Sequence, residues 1–181
     1  MTAPNAIALT IATPEAMGEL GARIADRLQA GDLVALNGEL GAGKTTLTRG
    51  LGARLEVRGA VTSPTFVLAR THPREGGAPL VHVDAYRLSS AAELDDLDID
   101  YEASIVVVEW GAGLLDGLTD DWLEVDIVRP TGGAADLVDS SDGGADGGAD
   151  GDADVAEPRA VAITGHGERW KDLGWVGAPR D

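Results

Sequence analysis

The sequence predicts an α/β fold of three layers: a mixed, mostly parallel central sheet that includes a β-hairpin, with helices packed on its faces. Three observations carry this expectation. Leu33-Val34-Ala35-Leu36-Asn37 is a short apolar run of the kind that forms a fully buried strand. It is followed at once by the glycine-rich Gly38-Glu39-Leu40-Gly41-Ala42-Gly43-Lys44-Thr45, and then by Thr46–Leu55, where Leu47, Leu51 and Leu55 recur at helical spacing. Ile105-Val106-Val107-Val108-Glu109 is a second buried-strand run, ending in one acid. Between them, Phe66–Arg70 and Leu80–Asp84 read as strands whose Pro73–Pro79 connection is short enough for an antiparallel hairpin.

The other elements follow in order. Met1–Asn5 reads as a loose end and Ala6–Ala12 as a strand. Thr13-Pro14-Glu15 is a helix start, with Thr13 as N-cap and Pro14 at the first helical position, and Glu15–Gln29 is amphipathic. Gly31-Asp32 marks a turn. Gly59–Thr65 is a proline-containing loop bearing hydroxyls at Thr62, Ser63 and Thr65. Ala91–Tyr101 fits one or two helical turns, Trp122–Val128 a strand, Arg159–Thr164 another, and Glu168–Leu173 a closing helical turn. Residues 131–158 are Gly/Ala/Asp low complexity and read as a disordered insert in a single domain built from 1–130 and 159–175.

Composition narrows the function classes. A length of 181 residues fits one domain. The chain has no cysteine, which excludes disulfides, thiolate metal sites and cysteine nucleophiles. It shows neither a signal-peptide pattern nor an apolar stretch long enough for a membrane span, so a cytoplasmic protein without membrane association is expected. The net charge is −17, and residues 131–158 hold eight of the acids without any Lys or Arg. So acidic a chain is a poor stand-alone ligand for nucleic acid, because it cannot displace the counterions of a phosphate backbone.

The segment Gly38–Thr45 matches G-x-x-x-x-G-K-[ST], the phosphate-binding loop, which makes the expected fold P-loop NTPase-like. Only two of the 14 basic residues are lysines, and Lys44 is one of them. A phosphate cradle calls for a compact ammonium on a flexible stem, for which a planar guanidinium is too wide. Gly38, Gly41 and Gly43, with Ala42 between, let successive backbone N–H groups converge on one phosphate. The dipole of the helix that begins there adds to the attraction. Lys44 is expected to bridge the β- and γ-phosphates, Thr45 to ligate Mg²⁺ through its hydroxyl, and Thr46 to reach the α-phosphate.

Such a site needs carboxylates. Glu109 stands at the carboxyl end of a central strand, where open α/β sheets place ligands, and is the expected second metal ligand. Asp84 ends the Leu80–Asp84 strand and is placed to hold a metal-bound water or to polarise the attacking one; the structural alternative is an ion pair with Arg87. Ser63-Pro64-Thr65 reads as a switch loop able to sense the terminal phosphate. His82 shares the strand face of Asp84 and is either structural or a supporter of that acid. Arg87 either stabilises charge on a transferring phosphate or makes a surface ion pair. Trp110 is either a lid over the nucleotide or a packing residue. A guanine reader of the Asn-Lys-x-Asp type is absent, since the only asparagines are Asn5 and Asn37. The arginine-rich lid of small-molecule kinases is absent too. A small ATPase remains.

Four motifs in order, Gly38–Thr46, Ser63-Pro64-Thr65-Phe66, His82-Val83-Asp84-Ala85-Tyr86-Arg87-Leu88 and Val108-Glu109-Trp110, make residues 31 to 128 resemble the TsaE family. These are bacterial ATPases that assist synthesis of threonylcarbamoyladenosine in tRNA. The resemblance implies Mg²⁺-dependent ATP hydrolysis and partnership with TsaB and TsaD, with tRNA engaged only indirectly. It also implies that Ser63–Thr65, Asp84 and Glu109 serve the site, with Thr45 and Glu109 on the metal. The acidic insert departs from the family plan. A P-loop small-molecule kinase with Asp84 as base and a nucleotide-gated binding module without hydrolysis are the alternatives.

Overall fold

The structure is a computed structural model that describes residues 5–130 and 157–177. β1 (Asn5–Ile11) leads into α1 (Pro14–Ala25), and β2 (Leu33–Asn37) into α2 (Lys44–Arg54). The hairpin β3 (Ala69–His72) and β4 (Leu80–Asp84) follows, then α3 (Ala91–Asp95), β5 (Ile105–Glu109), β6 (Trp122–Val128), β7 (Arg159–His166) and a 3-10 turn at Gly174–Val176.

All seven strands lie in one sheet, ordered β1-β7-β6-β2-β5-β4-β3. Its centre, β6-β2-β5-β4, is parallel, and both flanks are antiparallel. A parallel centre is covered on both faces, which is why β5 reads as an apolar run up to Glu109 and why β4 and β5 are buried throughout, His82 of β4 included. Successive side chains alternate between two cores. Val34, Leu36, Leu80 and Val107 pack under α1 and α2 with Leu20, Ile24, Leu47 and Leu51. Leu33, Ala35, Val81, Val83 and Val108 face Leu94 of α3 and the Leu114–Leu115 loop. Helices, sheet, and α3 with its loops are the three layers.

α1 begins as its residues dictate: Thr13 Oγ1 accepts from the Ala16 N–H at 3.1 Å and Pro14 fills the first turn. It ends four residues before the amphipathic pattern does at Gln29. The Arg27 and Leu28 N–H groups donate to Ile24 and Ala25 carbonyls, and this i−3 tightening ends the helix. Against α2 it packs backbone to backbone. A Cβ at Gly21 would overlap the Leu47 carbonyl, and one at Gly50 the Gly18 carbonyl. Gly50→Ala is therefore expected to cost about 3 kcal/mol, the upper end for overpacking, read as a lower denaturant midpoint at unchanged slope. A loss within about 0.5 kcal/mol, as for a surface site, would contradict the close crossing.

Other boundaries differ from expectation as well. Asn5 belongs to β1, and its amide donates to the Lys171 carbonyl at 2.8 Å. The strand expected at Phe66–Arg70 starts only at Ala69. The Pro64 carbonyl accepts from both Val67 and Leu68 N–H groups, and Leu68 takes φ +63°, so the chain turns before it pairs. The hairpin itself forms as expected, with Ala69 opposite Val83. The closing helical turn falls at Gly174–Val176 rather than Glu168–Leu173, where Asp172 Oδ1 accepts from the Gly174 N–H at 2.8 Å. The expected insert lies, but for Glu157 and Pro158, outside the described residues. No helix among the described residues is long and apolar enough to cross a membrane.

Candidate functional site

The carboxyl ends of β2, β4 and β5 meet along one edge. Leu36 pairs with Glu109, and Asp84 with Glu109, so the loop after β2 and the acids of β4 and β5 are neighbours by register alone. The loop that leaves β2 is glycine-dependent. Gly38, Gly41 and Gly43 take φ of +145°, +77° and +117°, a region open to glycine at little cost. At Gly38 a Cβ would also stand 2.5 Å from the Ile127 carbonyl.

The two long helices begin differently. α1 has a side-chain cap and Glu15 in its first turn. α2 starts from Gly43 with no side-chain cap and no acid in its first turn. Its leading N–H groups and positive dipole end thus face the loop, which suits an anion such as phosphate. Lys44 opens this helix. Its ammonium donates to the Gly38 carbonyl at 2.6 Å and the Glu39 carbonyl at 3.0 Å, and sits 4.0 Å from the centroid of the Trp110 ring. Burial lowers its pKa, and the Glu109 and Asp84 carboxylates push it back up.

Thr45, the next residue, donates its hydroxyl to Glu109 Oε1 at 3.3 Å. The same oxygen is 2.8 Å from His82 Nε2. Glu109 and Asp84 are both nearly inaccessible, at 3% and 4% exposure. Asp84 Oδ1 accepts from the Tyr86 N–H at 3.0 Å. A hydroxyl and two carboxylates beside the glycine loop form a hard-oxygen donor set that fits Mg²⁺. Among the described residues no cluster of three or more His, Cys, Asp or Glu makes a self-contained metal cage, so an ion here would complete its shell with phosphate and water.

Lys44, Thr45, Asp84 and Glu109 line one cavity of about 600 Å³, together with Leu40, Gly41, Gly43, Thr46, Ser63, Thr65, Tyr86, Arg87 and Trp110. The structure thus brings Lys44, Thr45, Thr46, Ser63, Thr65, Asp84, Glu109 and Trp110 together; Gly38 and Ala42 belong to the loop that forms its floor. Trp110 adopts φ +62°, rare for a bulky residue, and its N–H donates to the Leu36 carbonyl at 2.8 Å. That twist turns the indole over Lys44. The Tyr86 ring meets it edge-on at 5.2 Å. Ser63 and Thr65 hydroxyls bond each other at 2.8 Å.

The contacts decide between alternatives that the sequence left open. His82 bonds Glu109, not Asp84, and Asp84 accepts from a backbone N–H with no ion pair to Arg87 among the described residues. Arg87 Nη2 instead donates to the Thr65 carbonyl, so it ties the Ser63–Thr65 loop to the β4 end. Sequence reasoning missed Tyr86 and a second cavity of about 360 Å³ on the far side of the loop. Gly41, Gly43 and Thr46 line both cavities, and Ala42, Thr13, Met17, Arg129, Glu157 and Arg159 are among the residues that line only the second. Its one sequence signal is a pair of arginines, Arg129 and Arg159, flanking the acidic insert.

Residues 11–134 match the model of the family described as threonylcarbamoyl adenosine biosynthesis protein TsaE. The chain is 55% identical over 158 residues to a Streptomyces coelicolor protein named tRNA threonylcarbamoyladenosine biosynthesis protein TsaE, covering 85% of this chain and 93% of that one. A Mycobacterium tuberculosis protein of the same name is 52% identical over 120 residues, covering 61% and 71%. The crystal structure of Bacillus subtilis YdiB superposes with a TM-score of 0.65 at 24% identity, covering 94% of this chain and 93% of that chain, a likeness of fold.

Proposed function

The chain belongs to the TsaE family, and on that premise we propose that it is a Mg²⁺-dependent ATPase that assists threonylcarbamoylation of the tRNA adenosine beside the anticodon. It acts through a TsaB–TsaD complex in the cytoplasm and does not itself transfer the group. The observation that carries the reading is the convergence of Lys44, Thr45, Asp84 and Glu109 on one cavity beside an uncapped helix start. Lys44 binds the β- and γ-phosphates, and the loop N–H groups with Thr46 hold the rest of the chain of phosphates. Thr45 and Glu109 would hold Mg²⁺, which when bound would neutralise charge developing on the phosphates. Asp84, with Oδ1 fixed by Tyr86, orients the attacking water through its other oxygen. Trp110 and Tyr86 wall the site off from bulk water. The second cavity, continuous with the loop through Gly41–Gly43, takes the base and ribose.

Coupling to a partner requires that the two nucleotide states present different surfaces. The Ser63–Thr65 loop faces the phosphates, and the next residues, Phe66 and Val67, are 93% and 54% exposed. A shift at Thr65 would move an apolar contact residue directly. The acidic charge supports a role in which the partners, not this chain, carry the tRNA.

The pathway assignment is tested by depleting the protein in its host and measuring threonylcarbamoyladenosine in total tRNA. The modification is expected to fall and to return with the wild-type chain. Unchanged levels on depletion would refute it.

A further inference from the structure

We propose that His82 is a positioning residue for the metal site: its Nε2–H clamps the Glu109 carboxylate so that one oxygen is engaged by the protein and the other is presented to the divalent ion. This rests on the Mg²⁺–ATP reading above. A carboxylate is an acceptor only, so the 2.8 Å contact assigns the hydrogen to Nε2. Both hydrogen bonds to the Glu109 carboxylate among the described residues, from His82 and from Thr45, end on Oε1, which leaves Oε2 for a ligand. The Thr45 contact is the longer, at 3.3 Å, so His82 is the group that fixes the carboxylate.

The strand register explains why a histidine can do this. His82 pairs with Val107 and Asp84 with Glu109, so His82 and Glu109 are diagonal neighbours on one face of β4 and β5, and the imidazole spans the offset. Burial argues that the contact is functional rather than a packing accident. His82 is wholly buried, and its Nδ1 has no hydrogen-bond partner among the described residues. Leu80, two residues earlier on the same strand face, shows what packing alone would select. A leucine at 82 would avoid burying an unmet nitrogen, so the polar side chain is explained by the nitrogen that is bonded.

The test is binding of a fluorescent ATP analogue across a Mg²⁺ titration and in EDTA, with turnover not required. His82→Leu is expected to raise the Mg²⁺ concentration for half-maximal binding about tenfold, the lower end for loss of a group that orients a metal ligand. Its binding in EDTA should match wild type. His82→Gln places an N–H donor at similar reach and is expected to stay within about threefold of wild type. If His82→Leu does not fold, His82→Asn, polar but too short to reach Glu109, takes its place with the same expectation. A wild-type Mg²⁺ requirement in the Leu or Asn variant would overturn the inference, as would a Gln variant as impaired as Leu. Wild-type protein that binds the analogue with no Mg²⁺ dependence would overturn the metal reading as well.

Discussion

Lys44→Ala is expected to weaken ATP binding at least about 100-fold and to abolish phosphate release, because it removes charge-assisted hydrogen bonds to two phosphates at about 1.5–3 kcal/mol each. The ammonium is also what offsets the two buried acids. Burial lowers the Lys44 pKa, and the Glu109 and Asp84 carboxylates offset only part of that; without the cation, a triphosphate would approach two carboxylates with nothing between them. Lys44→Arg sharpens the test. The ammonium is confined between the Gly38 and Glu39 carbonyls and the Trp110 ring, a space that suits a point charge and not a planar fork. The arginine variant is therefore expected to bind nearly as poorly as alanine in isothermal titration. Recovery to within about threefold of wild type would mean that charge alone is being recognised.

Asp84→Asn is expected to lower kcat by about 10²–10³ while leaving ATP affinity within a few-fold, the pattern for a group that acts on the attacking water. The substitution keeps the size and the oxygen that accepts from the Tyr86 N–H, so the β4 end should stay in place. Only the charge and the acceptor facing the cavity change. A proportionate rise in KM with kcat preserved would instead place Asp84 in ground-state binding. Because Asp84 and Glu109 are direct register partners and both face Lys44, the two substitutions should not add.

The parts of this site that the sequence discloses are those set by spacing along the chain. Gly38 to Thr45 is contiguous, and its glycines have φ values that explain them. Asp84 and Glu109 are legible because each ends a segment that reads as a strand, and a parallel sheet puts such ends on one edge. What stays hidden depends on offsets between strands. Whether His82 meets Asp84 or Glu109 turns on a two-residue diagonal that only the register supplies. Trp110 over Lys44 depends on a left-handed backbone at a bulky residue, which no propensity suggests. The second cavity joins Thr13, Arg129 and Arg159, residues united only because β7 inserts between β1 and β6. Strand β3 starts late because Pro64 nucleates a turn that competes with pairing.

The insert aside, the proposal is of an acidic chain that binds ATP at Lys44 and whose Ser63–Thr65 loop, followed by the exposed Phe66 and Val67, meets a partner. Its most direct test is phosphate release from ATP by the purified chain with Mg²⁺, alone and with purified TsaB and TsaD. The account predicts slow release alone, strong stimulation by the two proteins together, and none of either with Lys44→Ala. Release that ignores the partners and depends instead on a small hydroxyl compound would contradict it.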